Sequence, residues 1–155
     1  MKHSLISSIA TVITLAIVVF AISAFFISNE RLIGFVLIAL FLLCMASLIP
    51  FGIALRSIQP DIIFGVIDNG ILVVFALIGG EVAGIPGAIV GGAVGNAATD
   101  GIAGVFEGYW AERLRKRNVS DQRTIVGSAI GKMGGCLLGA GVVLIIVSFL
   151  RVVFP

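Results

Sequence analysis

Five long apolar segments dominate this chain, and each is long enough to cross a lipid bilayer as a helix. They cover about residues 1–27, 32–55, 62–79, 84–112 and 124–150. With 59% hydrophobic and 12% charged residues, the chain has too little polar surface to enclose so much apolar interior in a soluble fold. The sequence therefore predicts an all-α integral membrane protein, a single membrane domain spanning 1–155 with about five transmembrane helices.

Basic residues predict how these helices are oriented. With five spans, Lys2, Arg56 and the cluster between residues 113 and 123 fall on one side of the membrane, and only Arg31 and Arg151 fall on the other. Because cytoplasmic connections are enriched in lysine and arginine, the amino terminus is expected in the cytoplasm and the carboxyl terminus outside.

Proline and glycine mark the expected connections. Pro50 lies near the end of the second span, where a kink is tolerable in lipid, and Pro60 lies in a loop predicted from Arg56 to Asp61. A turn is predicted from Gly79 to Pro86, because proline is well suited to the first position of a helix. The fourth span is therefore expected to begin at Pro86.

Small residues recur every fourth position in the last two spans. In the fourth span, one stripe of the helix consists of Ala88, Gly92, Asn96, Asp100 and Gly104. The neighbouring stripe consists of Gly87, Gly91, Gly95, Thr99 and Ala103. In the fifth, the repeated residues are Gly127, Gly131, Gly135 and Gly139. This pattern is typical of closely packed membrane helices and would let them slide. We expect a packed interface with a polar site inside it.

Charged residues from three spans are predicted to lie at one depth. From the rise per residue, Asp68, Asp100 and Lys132 all lie roughly 9 to 14 Å from the inner surface. Carboxylate, amide and hydroxyl oxygens suit Ca²⁺ or Na⁺, and the layer has no histidine or cysteine to favour zinc or copper. The candidate metal ligands are Asp68, Asn69, Asn96, Thr99 and Asp100.

Simpler interpretations remain open for several residues. Asp68 or Asp100 could pair with Lys132 to fix the helix register, or Lys132 could act as a tethered cation that occupies the empty site. Glu107 could line the mouth of a pathway or extend toward Arg113.

The sequence does not indicate an enzyme, because no nucleophile has an adjacent base, and we expect no organic cofactor. No basic face interleaved with aromatic residues indicates a nucleic-acid partner.

Two aspartate motifs resemble those of the transmembrane protein 65 family. The run from Phe64 to Asn69 resembles its F-G-F-L-D-N stretch, and the run from Gly95 to Asp100 resembles its G-N-x-x-S-D stretch. Gly131 and Lys132 look like its G-K pair, and the run from Gly135 to Gly139 looks like its G-C-x-L-G run. The resemblance concerns the three-helix part at 61–155 and leaves the two helices at 1–60 outside it.

The resemblance implies sodium-dependent calcium transport, which the family carries out across the mitochondrial inner membrane. For this chain it implies a prokaryotic relative in the plasma membrane, with a homodimer as the expected assembly. We therefore expect an antiporter that exchanges Ca²⁺ for Na⁺ or H⁺, with Ca²⁺ and Na⁺ bound as transported ions and not as permanent cofactors. The alternatives are a membrane scaffold or regulatory subunit that transports nothing, and a passive cation channel.

Overall fold

The computed structural model describes residues 5–29, 31–116 and 124–153, and these ranges contain helices and no strands. Four helices are long and apolar enough to cross a membrane, which suggests a membrane location and agrees with the predicted all-α class. The helices are α1 (Leu5–Phe26), α2 (Ile33–Ala46), α3 (Leu55–Lys116) and α4 (Ile125–Val153), and a 3-10 turn (Ile49–Phe51) follows α2. The second of the four candidate spans, Ile33–Phe51, consists of α2 together with this turn.

The expected count of five spans is not matched, because the third and fourth predicted spans belong to one element, α3. Helical geometry inside α3 is interrupted only at Ala83 (φ −141°, ψ 23°) and Gly84 (φ 60°, ψ −142°). We call residues 55–82 the first arm and residues 85–116 the second arm. Glycine has no β-carbon and tolerates this positive φ, so two residues replace the longer predicted turn. The second arm begins next to Pro86, as expected.

The two arms of α3 fold back on one another and run antiparallel. A β-carbon added at Gly87 would collide with the carbonyl of Gly79, and one at Gly91 would collide with the carbonyl of Phe75. Farther from the reversal, a β-carbon at Gly95 would lie 3.1 Å from the Cα of Leu72. The predicted close packing of the second arm is therefore confirmed, and the surface it contacts is the first arm.

Helix α4 also packs against the first arm and runs parallel to it. A β-carbon added at Gly135 would collide with the carbonyl of Ile62, and four residues farther along both helices the same holds for Gly139 and Val66. The glycine row of α4 thus allows the close approach that its spacing predicted. The first arm therefore contacts both α4 and the second arm.

A small apolar core surrounds the beginning of α4. Ile130, Val126 and Ile58 are all almost fully buried, and Cys44 on α2 is completely buried. Cys44 and Cys136 are free thiols, and Cys44 fills space as a hydrophobic residue, as expected.

Pro50 and Pro60 both lie in helical turns, and the loop predicted around Pro60 was wrong. The loop expected from Arg56 to Asp61 is helical, because α3 begins at Leu55; Pro60 is tolerated in the second turn, where it removes a single backbone donor. At Pro50 the second span does not simply kink, since α2 ends at Ala46 and the 3-10 turn closes at Gly52, whose φ is 64°.

Candidate functional site

A buried carboxylate and a buried hydroxyl meet between the two arms of α3. Asp68 on the first arm is 8% exposed and Thr99 on the second arm is 4% exposed. The Thr99 hydroxyl donates a hydrogen bond to Asp68 Oδ1. It also lies 3.1 Å from the carbonyl oxygen of Gly95 and 3.0 Å from that of Asn96. The structure thus brings two of the predicted ligands together, with two backbone oxygens beside them.

Asn96 and Asp100 form a second polar pair on the same arm. The Asn96 side-chain amide donates a hydrogen bond of 2.9 Å to Asp100 Oδ2, four residues later in the helix. Asn96 is half-buried, whereas Asp100 is exposed. The carboxylates of Asp68 and Asp100 therefore have different surroundings, although Thr99 and Asp100 are adjacent in sequence.

Helical periodicity explains why these neighbours differ. The stripe that includes Gly87, Gly91 and Gly95 lies against the first arm, and Thr99 continues this stripe into the buried interface. The Asn96 and Asp100 stripe is rotated by one residue, about 100°, away from that contact. Of the two stripes recognised in the sequence, the one with Thr99 forms the interface, and the one with Asp100 borders it.

The other predicted site residues lie at varying distances from this pair. Asn69 is half-buried. The Lys132 ammonium lies 4.8 Å from the centroid of the Phe64 ring, and Cys136 is within electrostatic range of both Lys132 and Asp68. The backbone of Lys132 contacts Gly65, three residues before Asp68 on the first arm. The side chain of Glu107 lies outside the described part of the structure.

A further buried carboxylate, Asp61, was missed by the sequence analysis. It is 2% exposed, and its Oδ1 accepts a hydrogen bond of 2.7 Å from the Ser128 hydroxyl of α4. Because Pro60 suggested a loop, Asp61, which follows it directly, was assigned to a connection. The periodicity offers a usable signal: Asp61 lies seven residues before Asp68, and this spacing places both on one face of a helix.

The described residues contain no group of three or more His, Cys, Asp or Glu side chains that could hold a metal ion. A cation at Asp68 would therefore depend on neutral oxygens in addition to the carboxylate. Hydroxyl and backbone carbonyl oxygens suit hard cations such as Ca²⁺ and Na⁺, and Thr99, Gly95 and Asn96 supply them within one turn of helix.

Comparison with protein-family models, with curated proteins and with solved structures finds no match for this chain.

Proposed function

We propose that the protein is a membrane cation transporter that exchanges Ca²⁺ for Na⁺ or H⁺. The observation that carries this proposal is the burial of Asp68 against Thr99, inside an interface lined by glycine. An ionisable side chain within a membrane helix is costly, and it commonly marks an ion pathway. Because the surrounding residues are small, ligands from two helix segments can approach one ion closely.

Thr99 gives the proposed site a means of accepting and releasing a cation. In the structure its hydroxyl proton is directed to Asp68, and this proton would oppose a cation bound to the same carboxylate oxygen. The carbonyls of Gly95 and Asn96 lie within hydrogen-bonding distance of the same hydroxyl. Rotation of the hydroxyl toward either carbonyl would free Asp68 and turn a lone pair of Thr99 toward the ion.

Asn69, Asn96 and Asp100 complete the proposed ligand set. Asp100 is exposed in the single chain, and an exposed carboxylate within the membrane would be costly. A second copy of the chain packed against this face would shield it, so we propose a homodimer. Cross-linking in native membranes through a cysteine introduced at Ala97 tests this assembly, and a cysteine at Ile17, exposed on α1, is the control.

The proposed topology has five crossings, with each arm of α3 crossing separately. The antiparallel contacts between the arms, and the reversal at Ala83 and Gly84, support it. The amino terminus would lie in the cytoplasm of a prokaryotic cell and the carboxyl terminus outside. A cysteine at Glu81 should then react with a membrane-impermeant maleimide from outside, whereas one at Gln59 should react only after permeabilisation.

Transport is tested with purified protein in liposomes, by measuring Ca²⁺ uptake driven by a Na⁺ or H⁺ gradient. We expect Ca²⁺ uptake that depends on the counter-ion gradient. In Asp68→Asn the rate should fall at least about tenfold, which corresponds to a transport barrier raised by about 1.4 kcal/mol or more. Asparagine keeps an oxygen that can accept from Thr99 but removes the charge. Glu81→Gln, at an exposed position, is the control. Wild-type uptake by Asp68→Asn would contradict the site assignment.

A second candidate function is a scaffold or regulatory subunit that transports nothing. The hydrogen bond from Thr99 to Asp68 favours it, because the bond also fixes how the two arms of α3 are aligned. A scaffold should unfold at the same temperature with and without Ca²⁺ or Na⁺, whereas an ion that binds only the folded protein raises the midpoint. Ca²⁺ flux that needs no counter-ion would instead identify a passive channel.

A further inference from the structure

The two carboxylates of the candidate site belong to two separate polar pairs. Thr99 bonds to Asp68 inside the interface between the arms, whereas the Asn96 side chain bonds to Asp100 at its border. Consecutive residues of a helix point about 100° apart, so Thr99 is buried while its neighbour Asp100 is exposed. No described side chain bonds to both carboxylates. Each aspartate therefore has its own surroundings and its own neutral partner.

No positive charge compensates the carboxylate of Asp100. Among the described side chains Asn96 is its hydrogen-bond partner, and no lysine or arginine pairs with it. An amide donates a hydrogen bond but carries no charge, so the pair keeps one full negative charge. If the second arm crosses the membrane, this charge lies at an exposed position within a span, where it is costly. A cation bound there would remove that cost.

The exposure of Asp100 favours a monovalent cation. Na⁺ would make the pair neutral, whereas Ca²⁺ would leave one positive charge on the exposed face, and a net charge of either sign is costly in hydrocarbon. Asp68 differs because protein encloses it. The Thr99 hydroxyl beside Asp68 lies close to the carbonyl oxygens of Gly95 and Asn96, and Ca²⁺ takes about six to eight oxygen ligands.

Asn96 can change from a hydrogen-bond donor into an ion ligand. Its Nδ2 lies 2.9 Å from Asp100 Oδ2, and the four-residue spacing places both side chains on one face of the helix. Rotation of the amide by about 180° exchanges Nδ2 and Oδ1, so the amide oxygen then points toward Asp100. A Na⁺ ion at Asp100 would be held by carboxylate and amide oxygens, which suit hard cations.

We propose that the ligand set divides between the two exchanged ions, with Na⁺ at Asp100 and Asn96 and Ca²⁺ at Asp68 and Thr99. This inference rests on the proposed transport function and assigns one ion to each carboxylate. The opposing explanation is one site that uses both carboxylates for either ion, with the Asn96 bond as a contact within the helix. A shared site requires each aspartate for both ions, whereas divided sites do not.

The test measures how Na⁺ and Ca²⁺, each added at constant ionic strength, raise the unfolding midpoints of Asp68→Asn and Asp100→Asn. In Asp100→Asn the half-maximal Na⁺ concentration should rise at least about tenfold, and that of Ca²⁺ should change less than about threefold. Asp68→Asn should show the reverse. Asparagine at position 100 still accepts from Asn96, so only the charge is removed. Glu81→Gln is the control.

Transport gives a second measurement on the same variants in liposomes. Asp100→Asn should lose Na⁺-driven Ca²⁺ uptake at least about tenfold, yet still exchange internal for external Ca²⁺ at nearly the wild-type rate, because this exchange needs only the Ca²⁺ ligands. Asp68→Asn should lose both activities. Loss of both activities in Asp100→Asn as well would overturn the division, and so would wild-type uptake driven by H⁺ but not by Na⁺.

Different failures separate the two proposals. A wild-type protein that shows no uptake and no response to either ion removes both. Transport by the wild type, with both ion responses lost in each aspartate variant, removes the division alone. If Asp100→Asn does not fold, Asn96→Ala carries the test, because it keeps the Asp100 charge and the backbone carbonyl. It should weaken the Na⁺ response several-fold and leave that to Ca²⁺ unchanged; an unchanged Na⁺ response would overturn the division.

Discussion

Thr99 donates a hydrogen bond to Asp68 although 31 residues separate them in sequence. The contact exists because α3 reverses at Ala83 and Gly84 and brings its two arms side by side. It joins the only two members of the predicted ligand set that the described structure shows to be almost fully buried. Stability and transport therefore depend on the same pair of side chains, and substitutions can separate the two effects.

Removing the Thr99 hydroxyl should destabilise the protein. Thr99→Val keeps the shape but leaves Asp68 without this donor, and losing a partner for a buried polar group costs about 1–3 kcal/mol. The measurement is the free energy of unfolding in detergent. Thr11→Val is the matched control, because the Thr11 hydroxyl bonds to its own helix at an exposed position. Equal stability of the two variants would contradict the assigned contact.

Adjacent glycines near the reversal of α3 should respond differently to alanine. A β-carbon at Gly79 would collide with the Gly87 carbonyl, whereas one at Gly80 would meet Ala88 Cβ at an ordinary 3.5 Å. We expect Gly79→Ala to cost about 1–3 kcal/mol through overpacking. Gly80→Ala should be neutral or slightly stabilising, because alanine favours helix. Thermal unfolding midpoints measured side by side test this, and a larger loss for Gly80→Ala would refute the packing of the arms.

Gly84 is required for its backbone conformation and not for lack of space. Nothing lies within 4 Å of a β-carbon added there, yet its φ of 60° and ψ of −142° are unfavourable for other residues. Gly84→Asn should therefore cost about 1–3 kcal/mol. Gly52→Asn is the control, because Gly52 has a left-handed conformation, φ 64° and ψ 25°, that asparagine adopts readily. If both variants unfold at the wild-type temperature, the reversal does not require glycine.

Lys132 should influence how tightly the proposed site holds its ion. Replacing it with methionine keeps the chain length but removes a positive charge near Asp68, so we expect Ca²⁺ to bind several-fold more tightly in Lys132→Met. The Ca²⁺ concentration that half-maximally raises the unfolding midpoint provides the measurement. Lys116→Met is the control, because Lys116 is exposed and pairs with Glu112. Unchanged or weaker binding would argue against a tethered cation.

The helical class and the packing surfaces were predictable because apolar length and glycine spacing act locally. The rows ending at Thr99 and Gly139 both lie in close interfaces, as their periodicity indicated. The number of separate helices was harder to predict from the sequence, because the chain reverses at Gly84 without a polar loop to mark the end of one helix and the start of the next. Proline misled at Pro60, because α3 continues through this position although proline removes one of its backbone hydrogen bonds.

The sequence predicted which residues belong to the candidate site better than it predicted which of their side chains contact one another. Depth placed Asp68 in one layer with Asp100, whose neighbour Thr99 was included for its hydroxyl, and the structure brings Asp68 and Thr99 into contact. Depth does not specify rotation about the helix axis, so Asp100 was grouped with them although it is exposed. Asp61 was missed because one boundary error moved it out of the membrane segment.

The glycine row of α4 leaves an ambiguity in its alignment with α3. Gly135 contacts Ile62 and Gly139 contacts Val66, so the pattern repeats every four residues along both helices. Translating α4 by one turn, about 6 Å, would set Gly135 against Val66 and present nearly the same backbone surface again. The glycine row alone therefore distinguishes poorly between the two alignments. The alignment is selected by contacts that do not repeat along α4: the hydrogen bond between Ser128 and Asp61, and the burial of Ile130 in the apolar core.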